Sequence, residues 1–243
     1  MTAASRAEIA GRMMVALDYP DAGQAKGLIE RLKGIPCYMK VGMQLFYAAG
    51  PDFVRELKEQ GYKVFLDLKM HDIPNTVKGG ANSITKLGVD MFNVHAAGGS
   101  QMMKAAMEGV TEALALANTQ TKPMVIAVTQ LTSTNQQTLN EDIGIPGTVE
   151  EAVVRYARLA QQAGLHGVVA SPLEVERIKG QLGAGFVTVT PGIRPAGADV
   201  GDQSRVMTPA QAFAQGTDYV VIGRPITAAP DPREAIESII ASV

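Results

Sequence analysis

The sequence predicts an α/β protein, a (β/α)8 TIM barrel folded as one domain over residues 1–243. Two observations predict it. Eight short, β-branched runs recur, apolar almost throughout, as strands covered on both faces are. Helical patterns lie between them, and eight such units suit a chain of 243 residues. A doubly wound open sheet also alternates strand and helix, and it is the alternative. It usually has fewer strands, and no GxGxxG follows the first run.

The first strand is read at Met13–Asp18. After it, "AGQAKGLIERLKG" places Ala25, Leu28, Ile29 and Leu32 on one helical face. The second strand spans Tyr38–Gly42, and "GPDFVRELKEQG" follows with Pro51 at a helix start and Gly61 at its stop. Strands three to five are Val64–Lys69, Met91–His95 and Met124–Thr129. "VEEAVVRYARLAQQAGLHG" then buries Ala152, Val153, Tyr156, Leu159, Ala160 and Ala163. Strands six and seven are Gly167–Ser171 and Phe186–Thr190. A long loop over residues 191–207 comes next, and in a compact domain such a loop is a functional lid, a binding loop or disordered. Thr208 is the N-cap of the following helix, with Pro209 after it, and Tyr219–Gly223 is the eighth strand.

Composition removes several functions. The formal net charge is -2, so no strong basic field attracts nucleic acid or an anionic membrane. The single cysteine, Cys37, excludes an intrachain disulfide and a cysteine-rich zinc site, and fits a reducing cytosol. The N-terminal stretch has no apolar signal-peptide core, and no run reaches the ~18 apolar residues of a membrane span. A cytoplasmic protein is the expectation.

A barrel carries its chemistry at the C-terminal ends of its strands. There the sequence places Asp18, Lys40, Asp67, Lys69, Asp72, Thr132, Ser133, Arg194 and Arg224. Taken singly, Asp18 and Ser133 read as helix caps. His166 lies at the opposite end and reads as structural, His95 stays open, and Met102, Met103 and Met107 read as packing. Asp67 and Lys69 are different. Two apart on a strand, they share a face, and Lys40 on the next strand reaches the same space. Buried charges must pair. A structural ion network is one reading, and a catalytic cluster is the better one.

A second constellation reads as a phosphate site. Phosphate in such barrels binds at the loops after strands seven and eight. Those positions hold "TPGIRP" and "IGRPIT". Gly192 and Gly223 admit an anion close to the backbone, Arg194 and Arg224 supply forked donors, and Pro225 begins a short helix. The residues thus point to an enzyme acting on a phosphorylated small molecule.

"LDLKMHDIPNT", residues 66–76, resembles the DxKxxDIPNT signature of the orotidine 5′-phosphate decarboxylase family. "ALD" at 16–18, "KVG" at 40–42, "VTQLTS" at 128–133, "TPGIRP" at 190–195 and "GRPIT" at 223–227 follow in the family's order, so the resemblance covers essentially the whole chain and is closest to the shorter bacterial type. It implies decarboxylation of orotidine 5′-monophosphate to UMP, in UMP biosynthesis, with no metal and no cofactor. Lys69 would protonate C6, Asp67 would stand beside the substrate carboxylate, and Lys40 and Asp72 would complete an alternating network. Asp18 and Lys40 match the ribose binders, Thr132 and Ser133 lie near the pyrimidine edge, and Arg194, Gln203, Gly223 and Arg224 match the phosphate set. The 191–207 loop would close over the phosphate. In the family, Asp72 and Thr76 would serve the neighbouring subunit's site, implying a homodimer. The rivals are a metal-dependent sugar-phosphate decarboxylase or aldolase of the same suprafamily, which has a carboxylate where this chain has Lys40, and a non-catalytic phosphate-binding barrel.

Overall fold

Each of the eight apolar runs forms a strand, and all pair in parallel and in chain order, with the eighth closing on the first. The computed structural model describes residues 3–116, 121–195 and 207–243. The strands are β1 Met13–Ala16, β2 Tyr38–Gly42, β3 Lys63–Met70, β4 Met91–His95, β5 Met124–Val128, β6 Gly167–Val169, β7 Val187–Thr190 and β8 Tyr219–Ile222. Around them run α1 Ala3–Ala10, α2 Ala22–Arg31, α3 Met43–Glu59, α4 Pro74–Lys86, α5 Gly99–Leu116, α6 Val149–Gln162, α7 Val175–Leu182, α8 Pro209–Ala214, α9 Arg224–Thr227 and α10 Pro232–Ala241. The fold is a (β/α)8 barrel. Among the described residues no helix is long and apolar enough to cross a membrane.

Strands β2 and β4 have the expected bounds. Several others are shorter at their C-terminal ends, where Leu17, Thr129 and Ala170 each donate one further ladder bond before the chain turns into a loop. Helix α3 begins at Met43, well before Pro51. Gly50, at φ 71°, breaks it into two pieces, and Pro51, with no N–H to lose, restarts it. Helix α8 starts as expected, with Thr208 and Gln211 in a reciprocal cap. In α6 Ala152, Val153 and Ala160 are buried, as is Ala163 at its C-cap, while Tyr156 and Leu159 are only partly so.

Strand pleating sorts the core into two layers. Met14, Tyr38, Phe65, Met91, Ile126, Val189 and Val221 fill the barrel interior. Val15, Val41, Leu66, Phe92, Val125 and Ile222 point outward beneath the helices. One pleat above the interior layer, the same inward rows carry Lys40 after Tyr38, Asp67 after Phe65 and Asn93 after Met91. The apolar plug is thus the floor of whatever binds at the barrel mouth. Gly167 lets β6 approach β7 closely, since a Cβ there would lie 2.1 Å from the Val187 carbonyl oxygen.

The opposite face is tied by one device used twice. Asp90 Oδ2 accepts from Lys58 Nζ at 2.6 Å and from the Val64 amide at 2.7 Å. Asp218 Oδ2 accepts from Lys179 Nζ at 2.6 Å and from the Thr188 amide at 2.7 Å. Each carboxylate, directly before β4 or β8, locks a helix to the start of the strand that the helix leads into. The Lys58–Asp90 pair is about one-fifth exposed. Asp90→Ala is therefore expected to lower unfolding free energy by only about 2 kcal/mol, with turnover at room temperature unchanged. Urea unfolding checks this, and an unaltered midpoint would refute the clamp.

Candidate active site

The site begins with an irregularity in β3. The strand keeps regular register with β2 through Gly42 and Asp67. Against β4, Leu66 pairs with Phe92 but Met70 pairs with Val94, so β3 carries extra residues there. Lys69 takes φ 52°, the one left-handed non-glycine among the described residues. Its amide leaves the ladder and donates to Asn93 Oδ1 at 2.8 Å, while Asn93 Nδ2 donates to Asp67 Oδ1 at 2.7 Å. Asp67 and Lys69 do meet, at 2.7 Å. They meet through this bulge and the Asn93 bridge, which corrects the simple pleat argument.

The charges form a line. Asp18 Oδ1 lies 3.2 Å from Lys40 Nζ, Lys40 lies 3.2 Å from Asp67 Oδ2, and Asp67 leads to Lys69. Burial works against the Lys40 ammonium, but Asp67 and Asp18 outweigh it and its pKa is raised. Burial likewise works against the Asp67 carboxylate, but Lys40 and Lys69, with the Asn93 hydrogen bond, hold it below the ordinary aspartate range. All the partners needed to keep a buried carboxylate ionised are therefore present.

These side chains open on a cleft of about 610 Å³ at the barrel's C-terminal end. Asp18, Lys40, Asp67, Lys69, Thr132, Ser133, Arg194, Gly223 and Arg224 all line it. Val128, Val169 and Val221 give it an apolar wall. Arg194 is buried, and the Arg194 amide donates to the Met207 carbonyl at 3.0 Å, pinning together the two described ends of the 191–207 loop. Gly192 lines the cleft and takes φ 78°, a conformation that glycine adopts without strain. Arg224 is exposed and opens α9, with Pro225 in its first turn. Gln203, and the loop between residues 196 and 206, lie outside the described residues.

The two residues expected to serve a neighbouring subunit do not line this chain's own cleft. Asp72 and Thr76 are exposed. Asp72 Oδ1 accepts from the adjacent Ile73 amide at 2.6 Å, and among the described residues it forms no ion pair with Lys69. The alternating network within one chain is therefore Asp18–Lys40–Asp67–Lys69. His95 packs against His71, ring centroids 5.6 Å apart, and burial, then His71 and Lys69, lower its pKa. His166 accepts the Val125 amide on Nδ1 at 3.0 Å, beneath the barrel. Met102 and Met103 are buried and Met107 packs against the same cluster. Among the described residues, no group of three or more His, Cys, Asp or Glu is placed to hold a metal ion.

Sequence reasoning missed Asn93. Its signal was a lone amide inside the apolar run "MFNVH". It also passed over Gln130, buried in the cleft wall although it stands within "VTQLTS".

Comparison with known proteins gives a consistent picture. The family model for the Orotidine 5'-phosphate decarboxylase / HUMPS family matches residues 11–239. The orotidine 5'-phosphate decarboxylase of Moorella thermoacetica is 53% identical over 232 residues, 96% of this chain and 92% of that protein. That of Bacillus cytotoxicus is 51% identical over 227 residues, 93% of this chain and 94% of its own. The crystal structure of orotidine 5'-phosphate decarboxylase from Lactobacillus acidophilus superposes with a TM-score of 0.83 at 43% identity, covering 93% of this chain and 96% of that one.

Proposed function

The chain belongs to the Orotidine 5'-phosphate decarboxylase / HUMPS family, and from that premise we propose that it decarboxylates orotidine 5′-monophosphate to UMP and carbon dioxide, the last step of UMP synthesis, in the cytoplasm and without a cofactor. The observation that carries the reading is the Lys40–Asp67–Lys69 line beside a cleft whose far rim holds Arg194 and Arg224. Lysine and carboxylate alternate where bond cleavage leaves a carbanion. Two arginines wait where a phosphate binds.

In the proposed reaction the bond from C6 to the carboxyl carbon breaks and its electron pair stays on C6. The Lys69 ammonium stabilises that charge and then gives C6 a proton. Asp67 stands beside the departing carboxylate. Like-charge repulsion at ~4 Å and an effective dielectric of about 20 amounts to only about 4 kcal/mol. Accelerations at the upper end of the enzyme range require roughly 20 kcal/mol or more. Repulsion is therefore the minor effect and carbanion stabilisation the major one. Phosphate binding at Arg194, Gln203, Gly223 and Arg224 supplies remote binding energy that organises the site, with the 191–207 loop closing over it. Asp18 and Lys40 hold the ribose hydroxyls, and Thr132 and Ser133 lie at the pyrimidine edge.

Asn93 sets the Lys69 backbone, so Asn93→Ala is expected to lower kcat by about a hundredfold through misplacement, with UMP affinity unchanged. Equal kcat would refute its positioning role.

The active unit is a homodimer in which Asp72 and Thr76 complete the partner's site. Support comes from their exposure and from the apolar surface around them. Ile73 is 67% exposed, and Met43 and Tyr47 lie open in the neighbouring βα unit of the same rim.

A metal-dependent relative is not favoured, because the Lys40 ammonium occupies the place where a hard cation would need an oxygen ligand. A spectrophotometric assay with orotidine 5′-monophosphate in EDTA tests the reading. Full activity is expected. Activity lost to the chelator and restored by Mg²⁺ would overturn it.

A further inference from the structure

Gln130 is 8% exposed, and it lines the cleft two residues beyond the end of β5, beside Val128, with Ile126 in the barrel interior below. Among the described residues its side chain makes no hydrogen bond, yet its amide is not among the polar atoms sealed inside the protein. A primary amide in a largely apolar wall with its tip open to the cleft offers a donor and an acceptor to whatever fills that cleft. The feature is thus a donor and acceptor pair at the cleft wall, with no hydrogen-bond partner among the described residues.

The strand order says which part of a ligand it meets. The strands run in sequence around the barrel, so β5 stands across the mouth from β1. On the proposed function, on which this inference rests, phosphate lies at β7 and β8, ribose over β1 and β2, and C6 at Lys69 on β3. The ring edge remote from the ribose-bearing nitrogen then points at the wall that β5 builds. That edge carries N3–H and the C4 carbonyl. A glutamine amide matches it, its oxygen accepting from N3–H and its nitrogen donating to the carbonyl.

We infer that Gln130 is a specificity residue that binds the imide edge of the pyrimidine through a paired hydrogen bond.

The test compares Gln130→Leu with the wild type in binding UMP, ribose 5-phosphate and N3-methyl-UMP by calorimetry. UMP should bind about tenfold or more weakly to the variant. Ribose 5-phosphate should bind equally to both, which also shows that the variant is folded. The penalty for N3-methylation should be large in the wild type and much smaller in the variant, because leucine leaves no acceptor to block. Equal UMP affinity would overturn the inference, as expected if Gln130 faced only the departing carboxylate, which UMP lacks. Weaker ribose 5-phosphate binding would overturn it too, and so would a methylation penalty that is the same in both proteins. Failure of the functional reading looks different: the wild type would then not decarboxylate orotidine 5′-monophosphate at all.

Discussion

Lys69→Ala is expected to lower decarboxylation by about ten-thousandfold or more while UMP still binds. General acid catalysis alone contributes roughly 10²- to 10⁴-fold. Removing a charge aimed at a developing anion costs a further ~10²-fold. Binding survives because the phosphate-side arginines are across the cleft, and Asp67 keeps Lys40 and Asn93 as partners. The measurement is single-turnover decarboxylation beside UMP titration. A variant with wild-type rate would remove Lys69 from the mechanism. Loss of UMP binding in parallel would show that the lysine organises the site rather than acting on C6.

Asp72→Ala should also be nearly inactive, and its inactivity should be repairable in trans. In a heterodimer of Lys69→Ala and Asp72→Ala chains, the site built on the second chain has its own Lys69 and receives an intact Asp72 from the first. The other site has neither. Mixed dimers should therefore recover one working site, where each parent homodimer has none. Differently tagged subunits, co-purified and assayed, decide it. Verified heterodimers without recovery would mean that Asp72 acts on its own chain or not at all. Action on its own chain would need a loop movement, since among the described residues the Asp72 side chain bonds only to the neighbouring Ile73 amide.

Much of this was legible in the residues. The bounds of β2 and β4 follow from apolar runs closed by polar or glycine-rich ends. Lys40, Asp67 and Lys69 stood out because a charge in a barrel strand has no inexpensive place to go. Asn93 did not stand out, because a single amide in an apolar strand carries no charge and fits several bland explanations. Helix α3 was placed too late because Gly50-Pro51 reads locally as a start, whereas the chain uses it as a break within a longer helix.

The sequence by itself determined the barrel and the end at which polar groups collect. Periodicity and burial are properties of each segment, and they are written in the spacing of its residues. Only the tertiary structure decided who pairs with whom. Lys40 meets Asp67 through the β2–β3 register, Lys69 turns onto Asp67 at a left-handed residue, and Asn93 fills the ladder that the bulge opens. Register and bulges arise from the contacts of neighbouring strands, which no single segment encodes. Asp72, just beyond the strand, is placed by the turn that follows, where its carboxylate accepts the Ile73 amide.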